Sequence, residues 1–551
     1  MRELLTGGQL AVKVMEEYGV KVVFGVPGGQ TLFVTDPILD TKEMRFIHTR
    51  HENGAATAAD GWGRLTGEPG VCLATTGPGA TNLITGLGGA LRDSSPVIAL
   101  VFQNRLPDAG RGDAQESDHE LLFNSICKKY IPVRDISVLP WALREAYRSS
   151  KTGRPGPVVV DFYRDVIEDQ KAEYIPMDPK TYCYKFDAVA SEESITKAVT
   201  KIRSSKKIML WVGNGVKLSK ASKEVEILSD ILNAPIVCTY NGMCAIDNEF
   251  KNFLGTRSRH GSRVTQACIE EADCVICIGS SLTAISTNRW GIKPGSMIQL
   301  DIIAENIGRQ YPVEVGLIGD AKASLNKLIE ALGDYKGEKG YLEDMLARKS
   351  EWKKNLEIGA IADTEASPVP PIALHMELQK VLKENTVFCV DAGNPGAWTH
   401  YTTFPKGTCY MKPVNFGNMA FALGAALGCK EAIPDREVIA LLGDGSLGMS
   451  LGDLETIGRE ELPIIVIVLN DSAYGNIRQE ELYKMGNNRY IGVDFKDYDY
   501  LNVAKEFGFE GMIVTKASQI KEAMEAARQS GRPYMIEVKL DGSFTVWPEA
   551  I

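Results

Sequence analysis

Apolar positions follow two periods along this 551-residue chain. Short, β-branched runs closed by glycine, proline or acidic residues alternate with longer stretches of helical spacing. Leu10, Ala11, Val14, Met15 and Tyr18 fall on one helical face, and residues 21–26 then form an apolar run stopped by Pro27-Gly28-Gly29. Residues 71–75, 97–102 and 157–161 read as further strands, with helical stretches over 54–64 and 80–92 between them. Repeated βα units predict a parallel sheet covered on both faces.

The same alternation restarts twice. Residues 165–187 lose the pattern and carry Pro176 and Pro179, which predicts a linker. Strands are then expected at Ile208–Val212, 235–238, Cys274–Ile278 and Ser296–Asp301. Residues 336–357 are charged and read as a solvated helical connection, and Ser367-Pro368-Val369-Pro370-Pro371 marks the next boundary. The third segment has expected strands at 386–390, 438–442, 464–469 and Tyr534–Lys539. The fold class expected is α/β, with three doubly wound parallel-sheet domains at 1–167, 188–335 and 366–551.

Composition adds limits. A hydrophobic share of 44% and a charged share of 24% are those of a soluble globular protein. The net charge of -10, without a basic stripe interleaved with aromatics, argues against a nucleic-acid partner. No apolar run nears the ~18 residues of a membrane span, and MRELLTGGQL lacks the layout of a secretory signal. The eleven cysteines are an odd number and sit largely in apolar runs, which suits buried thiols in a reducing cytoplasm. Cys274-Val-Ile-Cys277 has redox-motif spacing but lies in a strand and has no second pair at metal spacing, so it reads as core.

The chemistry concentrates at two strand ends. Gly443-Asp444-Gly445-Ser446 follows one apolar run, and Asn470-Asp471 ends the next. Adjacent parallel strands would bring both carboxylates together, and the glycine-rich turn would let phosphate approach backbone and helix N-terminus. One or two carboxylates with phosphate oxygens suit Mg2+. Three other features stand with this pair. Arg50-His51-Glu52 precedes a helix, Thr76-Gly77-Pro78-Gly79-Ala80-Thr81-Asn82 forms a tight turn, and Asn415-Phe416-Gly417-Asn418-Met419-Ala420-Phe421 leads a Gly/Ala-rich helix.

Taken together, these motifs resemble the thiamine-diphosphate-dependent decarboxylases, most closely their acetolactate-synthase-like branch, over about residues 3–545. The resemblance implies an N-terminal pyrimidine-binding domain, a central domain and a C-terminal diphosphate-binding domain. It implies Asp444, Asp471 and the backbone oxygen of Ala473 as metal ligands, with Asp471 standing where the family usually has asparagine. Gly443, Gly445, Ser446, Gly475 and Asn394 would contact the diphosphate, and Tyr474 would line the adjoining face. Met419 would force the bend of the cofactor, and the Gly417 carbonyl would face its aminopyrimidine. Glu52 would touch the pyrimidine ring. A carboxyl there promotes the tautomer whose nitrogen can take the thiazolium proton, and the bend brings that nitrogen to the reactive carbon. Gln115, in the loop GRGDAQESD, would hydrogen-bond substrate. Glu480 also falls on the substrate side, and His48, His51 and His119 are candidates for proton transfer. Lys128 aligns with a lysine of the branch.

The resemblance further implies a homodimer or homotetramer with active sites at the subunit interface, Glu52 approaching the cofactor of a partner subunit. The substrate would be a 2-oxoacid or related carbonyl compound, cleaved or joined at the carbon next to the carbonyl. Three positions depart from true acetolactate synthases: Ile285 replaces an arginine, Glu480 a tryptophan and Ala114 a phenylalanine. These changes open the substrate pocket and point away from acetolactate synthesis itself. The alternatives are a 2-hydroxyacyl-CoA or oxalyl-CoA type lyase and an FAD-containing oxidase or synthase. FAD or an adenine nucleotide in the central domain, hinted at by Gly213-Asn214-Gly215, is the less favoured reading. Intact Glu52, Asp444 and Met419 argue against a non-catalytic homologue. The absence of a G-x-G-x-x-G turn around Gly25–Gly29 argues against a nicotinamide dehydrogenase.

Overall fold

The computed structural model describes residues 4–184, 187–486 and 489–546. The first three residues of the first expected domain and the last five of the third lie outside them. Three six-stranded parallel sheets follow one another along the chain, each flanked by helices. Counting strands in chain order within each sheet, the first and third share the order 2-1-3-4-6-5, whereas the central one runs 3-2-1-4-5-6. The α/β class with three parallel sheets therefore holds.

Every strand expected from the sequence forms. Those strands are the four inner ones of each sheet, and their residues are buried almost throughout. The six edge strands were not anticipated: Arg45–His48, Lys129–Val133, Phe253–Arg257, Val315–Ile318, Cys409–Met411 and Glu510–Val514. Most mix exposed and buried positions, so no continuous apolar run announces them.

Two connections differ from expectation. The expected linker contains the helix Arg164–Glu168 and the strand Lys171–Glu173, which pairs antiparallel with Leu4–Thr6. The charged stretch after the central domain forms the helix Gly340–Leu356 and is not simply solvated. Its first turns bury Tyr341 and Met345 against Met209 and Trp211 of the central sheet, because apolar Tyr341, Leu342 and Met345 cluster at its start while most of its charges come later.

The outer domains join through two small-residue helices, Glu52–Thr66 and Ala422–Ala432. Gly428 lies so close to its neighbour that a β-carbon would sit 1.9 Å from the Ala58 carbonyl oxygen, and one on Gly61 would sit 2.4 Å from that of Ala425. The Ala422–Ala432 helix is apolar on all sides because it is buried on all sides, against its own sheet and against the first domain. The segment 415–421 that precedes it is irregular rather than the start of the helix.

Candidate active site

The candidate site lies at the carboxyl ends of three adjacent strands of the third sheet: Val387–Val390, Val438–Gly443 and Ile464–Asn470. This is the crevice where open α/β sheets bind ligands. Asp444 opens the helix Asp444–Arg459 and is 1% exposed. Its Oδ1 accepts from the Gly445 N–H at 3.0 Å, while its Oδ2 is buried without a partner. Burial, and then the nearby Asp471 carboxylate, push its pKa up to about 7. Burial raises Asp471 to about 6, partly offset by Arg478. The Ala473 N–H faces both carboxylates and lowers both pKa values. The three residues expected to hold a metal therefore converge. Among the described residues no cluster of three or more His, Cys, Asp or Glu side chains could hold a metal, so two carboxylates would need backbone and ligand oxygens.

Gly475 follows directly. A β-carbon there would fall 2.1 Å from Asp471 Oδ2 and 3.2 Å from Asn394 Nδ2, so a side chain at this position would displace the Asp471 carboxylate. Asn394 opens the short helix after the Val387–Val390 strand and accepts from Asn476 Nδ2 at 2.9 Å. A β-carbon on Gly445 would press on the Tyr474 ring at 2.7 Å, and that ring meets Phe495 edge-on. Gly443, Gly445, Ser446, Asn394, Asp471, Ala473, Tyr474 and Gly475 thus line one crevice.

Met419 is half-buried, and Gly417 is exposed with a φ of +74°. The next residue is tied to the crevice: the Ala420 N–H donates to Ser446 Oγ at 3.4 Å. The buried Asp391 carboxylate accepts from the Phe421 N–H at 3.2 Å and locks the entry to the following helix. Asp391 is not among the residues picked out from sequence; its one signal there is an acid directly after the Val387–Val390 strand.

Glu52 begins the helix Glu52–Thr66, where the helix dipole favours a carboxylate. It is 8% exposed and accepts from Asn82 Nδ2 at 2.9 Å. Asn82 ends the Thr76–Asn82 motif but was not singled out from sequence. A β-carbon on Gly79 would come within 3.3 Å of Glu52 Oε1, so this turn wraps the carboxyl. Gln115 has an exposed side chain and a φ of +62°. Its carbonyl lies 2.2 Å from where a β-carbon on Gly77 would stand, so its loop rests on the turn that holds Glu52.

Other candidates have structural partners. His119 is fully buried, with Nδ1 3.1 Å from Asp161 and Nε2 accepting from the Gly77 N–H at 3.3 Å. It braces the turn and does not face the crevice. His51 Nδ1 accepts from the Asn53 N–H and caps its helix, and the His48 carbonyl accepts from Arg459. Lys128 donates to the Thr152 and Arg154 carbonyls at 2.6 and 2.8 Å. Glu480 pairs with Lys484 on its own helix, and Ile285 is 37% exposed on the central domain. The Ala114 carbonyl accepts from Asn104 at 2.9 Å. Cys274 and Cys277 are buried free thiols, and burial raises the Cys274 pKa to about 12.

A second site was barely legible. A cavity of about 620 Å³ opens at the carboxyl ends of the central strands, lined by Arg154, Asn214, Gly279, Asp301, Asp320 and Lys322 among others. The turn after Ile208–Val212 touches Gly279, which follows Cys274–Ile278, where the strand order reverses. That reversal is the dinucleotide-binding position of a 3-2-1-4-5-6 sheet.

Comparison with known proteins agrees with this layout. The chain matches the family descriptions "Thiamine pyrophosphate enzyme, N-terminal TPP binding domain" over residues 5–122, "central domain" over 195–328 and "C-terminal TPP binding domain" over 391–538. It is 30% identical to the acetolactate synthase isozyme 2 large subunit of Escherichia coli, over 99% of this chain and 97% of that protein. It is 31% identical to the acetolactate synthase large subunit of Corynebacterium glutamicum, over 99% of this chain and 88% of that protein. It is also 31% identical to the "Probable acetolactate synthase large subunit" of Methanococcus aeolicus, over 98% and 92%.

Proposed function

The chain belongs to the thiamine pyrophosphate enzyme family, in its acetolactate-synthase-like branch, and we propose that it cleaves and forms the carbon–carbon bond beside the carbonyl of a 2-oxoacid, with Mg2+ clamping the cofactor. One observation carries the clamp: a buried, unpartnered Asp444 Oδ2 stands near Asp471, and a side chain at position 475 would push the Asp471 carboxylate out of place. Two carboxylates held against their mutual repulsion fit a divalent cation, and glycine at 475 leaves room for a phosphate.

Thiamine diphosphate, when bound, supplies the electron sink for the bond change. The residues of this chain do the rest. Asp444, Asp471 and the Ala473 carbonyl hold the metal. Gly443, Gly445, Ser446, Gly475 and Asn394 seat the diphosphate, and Tyr474 closes one side. Met419 and the Gly417 carbonyl orient the pyrimidine. Glu52, kept in place by Asn82, holds a proton at the pyrimidine nitrogen, and Gln115 orients the substrate. Ile285, Glu480 and Ala114 leave the acceptor side open, so the preferred acceptor differs from that of the enzymes named above.

In one chain the Glu52 carboxyl bonds within its own domain, while Gly417, Phe416 and Met449 face outward. This supports a homodimer or homotetramer in which Glu52 meets the cofactor seated on a partner subunit. The central cavity supports an adenine dinucleotide of the FAD kind, with Asp301 at the ribose and Arg154 among the cations at the phosphates. The many buried free thiols support a reducing, cytoplasmic setting; no helix among the described residues is long and apolar enough to cross a membrane.

The test is calorimetric. Thiamine diphosphate should bind with Mg2+ and weaken strongly when EDTA removes it, and 2-oxoacids should release carbon dioxide in the presence of both. Unchanged affinity under EDTA removes the clamp, and no turnover with any 2-oxoacid removes the reaction class.

A further inference from the structure

A lysine is buried beside the turn that leads to Asn394. Lys412 follows the edge strand Cys409–Met411, and Asp391 follows its parallel neighbour Val387–Val390. Lys412 is 7% exposed and Asp391 is fully buried. The Lys412 ammonium donates to the Asp391 carbonyl at 2.8 Å rather than to a carboxylate, and it lies 5.4 Å from the centre of the Tyr240 ring. It also fills the space beside Gly396, where a β-carbon would stand 2.2 Å from Nζ. Gly396 belongs to the short helix that Asn394 opens. Burial lowers the Lys412 pKa to about 8, against the pull of Asp391 and Asp93.

The Asp391 carboxylate gathers main-chain donors. It accepts from the Ala392 N–H at 3.0 Å, the Phe421 N–H at 3.2 and 3.3 Å and the Ala422 N–H at 3.5 Å. Burial raises its pKa, and these donors, Ser446 and the Lys412 charge oppose the rise. Asp453 is a second buried acid in its field, pushed up to about 7 by burial and then by Asp391. Met419 lies two residues before Phe421, on a segment rooted at Asn415. Asn415 Nδ2 donates to Asp93 at 2.8 Å, as does Asn241 Nδ2. Asp93 also pairs with Arg64 at 3.4 Å. Arg64 in turn donates to the Lys412 carbonyl at 2.9 Å and lies over the Phe421 ring at 4.9 Å. Both ends of the Met419 segment, and the turn to Asn394, lead to Asp391 and Lys412.

A buried pair of opposite charges is seldom the most stable filling for a core, since apolar residues of similar volume often do as well or better. Packing alone therefore does not account for a lysine at this point. We propose that Lys412 and Asp391 are paired positioning residues for the cofactor: the ammonium fixes the turn that presents Asn394 to the diphosphate, and its charge balances the carboxylate that fixes Phe421 and, through it, Met419. Removing one partner leaves the other as an uncompensated charge in the core, whereas removing both does not. The inference rests on the thiamine diphosphate reading given above.

The experiment measures thiamine diphosphate binding in Mg2+ by calorimetry for the wild type, Lys412→Met, Asp391→Asn and the double variant, with chemical denaturation of the cofactor-free proteins beside it. Each single substitution should weaken the cofactor about tenfold. The double variant should also lose about tenfold, not the roughly hundredfold that independent effects would give. A merely structural pair would shift the denaturation midpoints and leave the affinities of the folded proteins alone, so the affinity cycle is the discriminating quantity. If Lys412→Met does not fold, Asp391→Asn decides, because it keeps the carbonyl that Lys412 binds: a tenfold loss sustains the inference and wild-type affinity overturns it. Unchanged affinity in both single variants, or a hundredfold loss in the double variant, overturns the inference alone. A wild type that binds no thiamine diphosphate in Mg2+ overturns the cofactor reading and the inference with it.

Discussion

Asp444→Asn should make the cation-free protein more stable while disabling it. Folding raises the pKa of Asp444 from 3.8 to about 7. Three units at roughly 1.4 kcal/mol each give an upper bound of about 4 kcal/mol of folding free energy lost above neutral pH. The sign follows from proton uptake. The folded state binds this proton more tightly than the unfolded state, so stability falls as pH climbs from about 4 to about 7, and the deficit is complete above that. An amide carries no charge and removes the deficit. Its Nδ2 would replace an oxygen that has no partner, and an unsatisfied buried donor costs about 1–3 kcal/mol. A net gain of about 1–3 kcal/mol remains at pH 8; it shrinks as pH falls and changes sign before pH 4, where the deficit is gone and only the donor penalty of about 1–3 kcal/mol is left. Thermal melts in EDTA across that range measure it. With Mg2+ and thiamine diphosphate at about 100 times the dissociation constant, the wild type should gain about 2.7 kcal/mol from ligand and the variant almost none, which inverts the order. A variant less stable than wild type in EDTA at pH 8, or a gap independent of pH, would refute the repulsion argument.

Other consequences are simpler to state. Glu52→Gln should keep cofactor affinity in calorimetry but lower turnover by about 10²–10⁴, the usual share of acid–base catalysis; near-normal rates would remove Glu52 from proton handling. Gly475→Ala places a carbon 2.1 Å from Asp471 Oδ2 and should cost at least about tenfold in metal-dependent cofactor affinity, with thermal stability in EDTA changed little. Gly428→Ala forces a carbon to 1.9 Å from the Ala58 carbonyl and should destabilise by about 1–3 kcal/mol in chemical denaturation; a neutral result would mean the helix pair can separate. A flavin spectrum in the purified protein, lost on denaturation and filtration, is the expected outcome for the central cavity.

Legibility from sequence followed burial. The inner strands of each sheet are covered on both faces and read as unbroken apolar runs, such as Ile464–Asn470. Edge strands such as Glu510–Val514 alternate exposure irregularly, and their pairing depends on the neighbour already being in place. The helix Gly340–Leu356 misled because its charges outnumber the few residues it docks. In the site, residues within one motif at a strand end, Asp444 with Gly445 and Asp471 with Gly475, were visible because local chemistry demands them together. Asn82, Asp93 and Asn415 were not given their roles, since an amide or acid acquires meaning only from partners distant in sequence. His119 drew attention as a histidine near an active loop, yet its partner Asp161 lies 42 positions away.

The two small-residue helices that clasp the outer domains touch through main chain rather than side chains. An interface of that kind has almost no adjustable parts, since most substitutions at its centre add bulk and very few remove it. The central domain is bound instead by polar ties, Asn214 and Asn241 to Asp93 and Thr283 to Asn415, together with Tyr240 and Met243 packed into the third domain's core. Chimeras that exchange the middle third between relatives, keeping Asp93 and Asn415 and supplying their amide and hydroxyl partners, are therefore the workable route to new specificity, and recombination across the clasped pair is the route to insoluble protein.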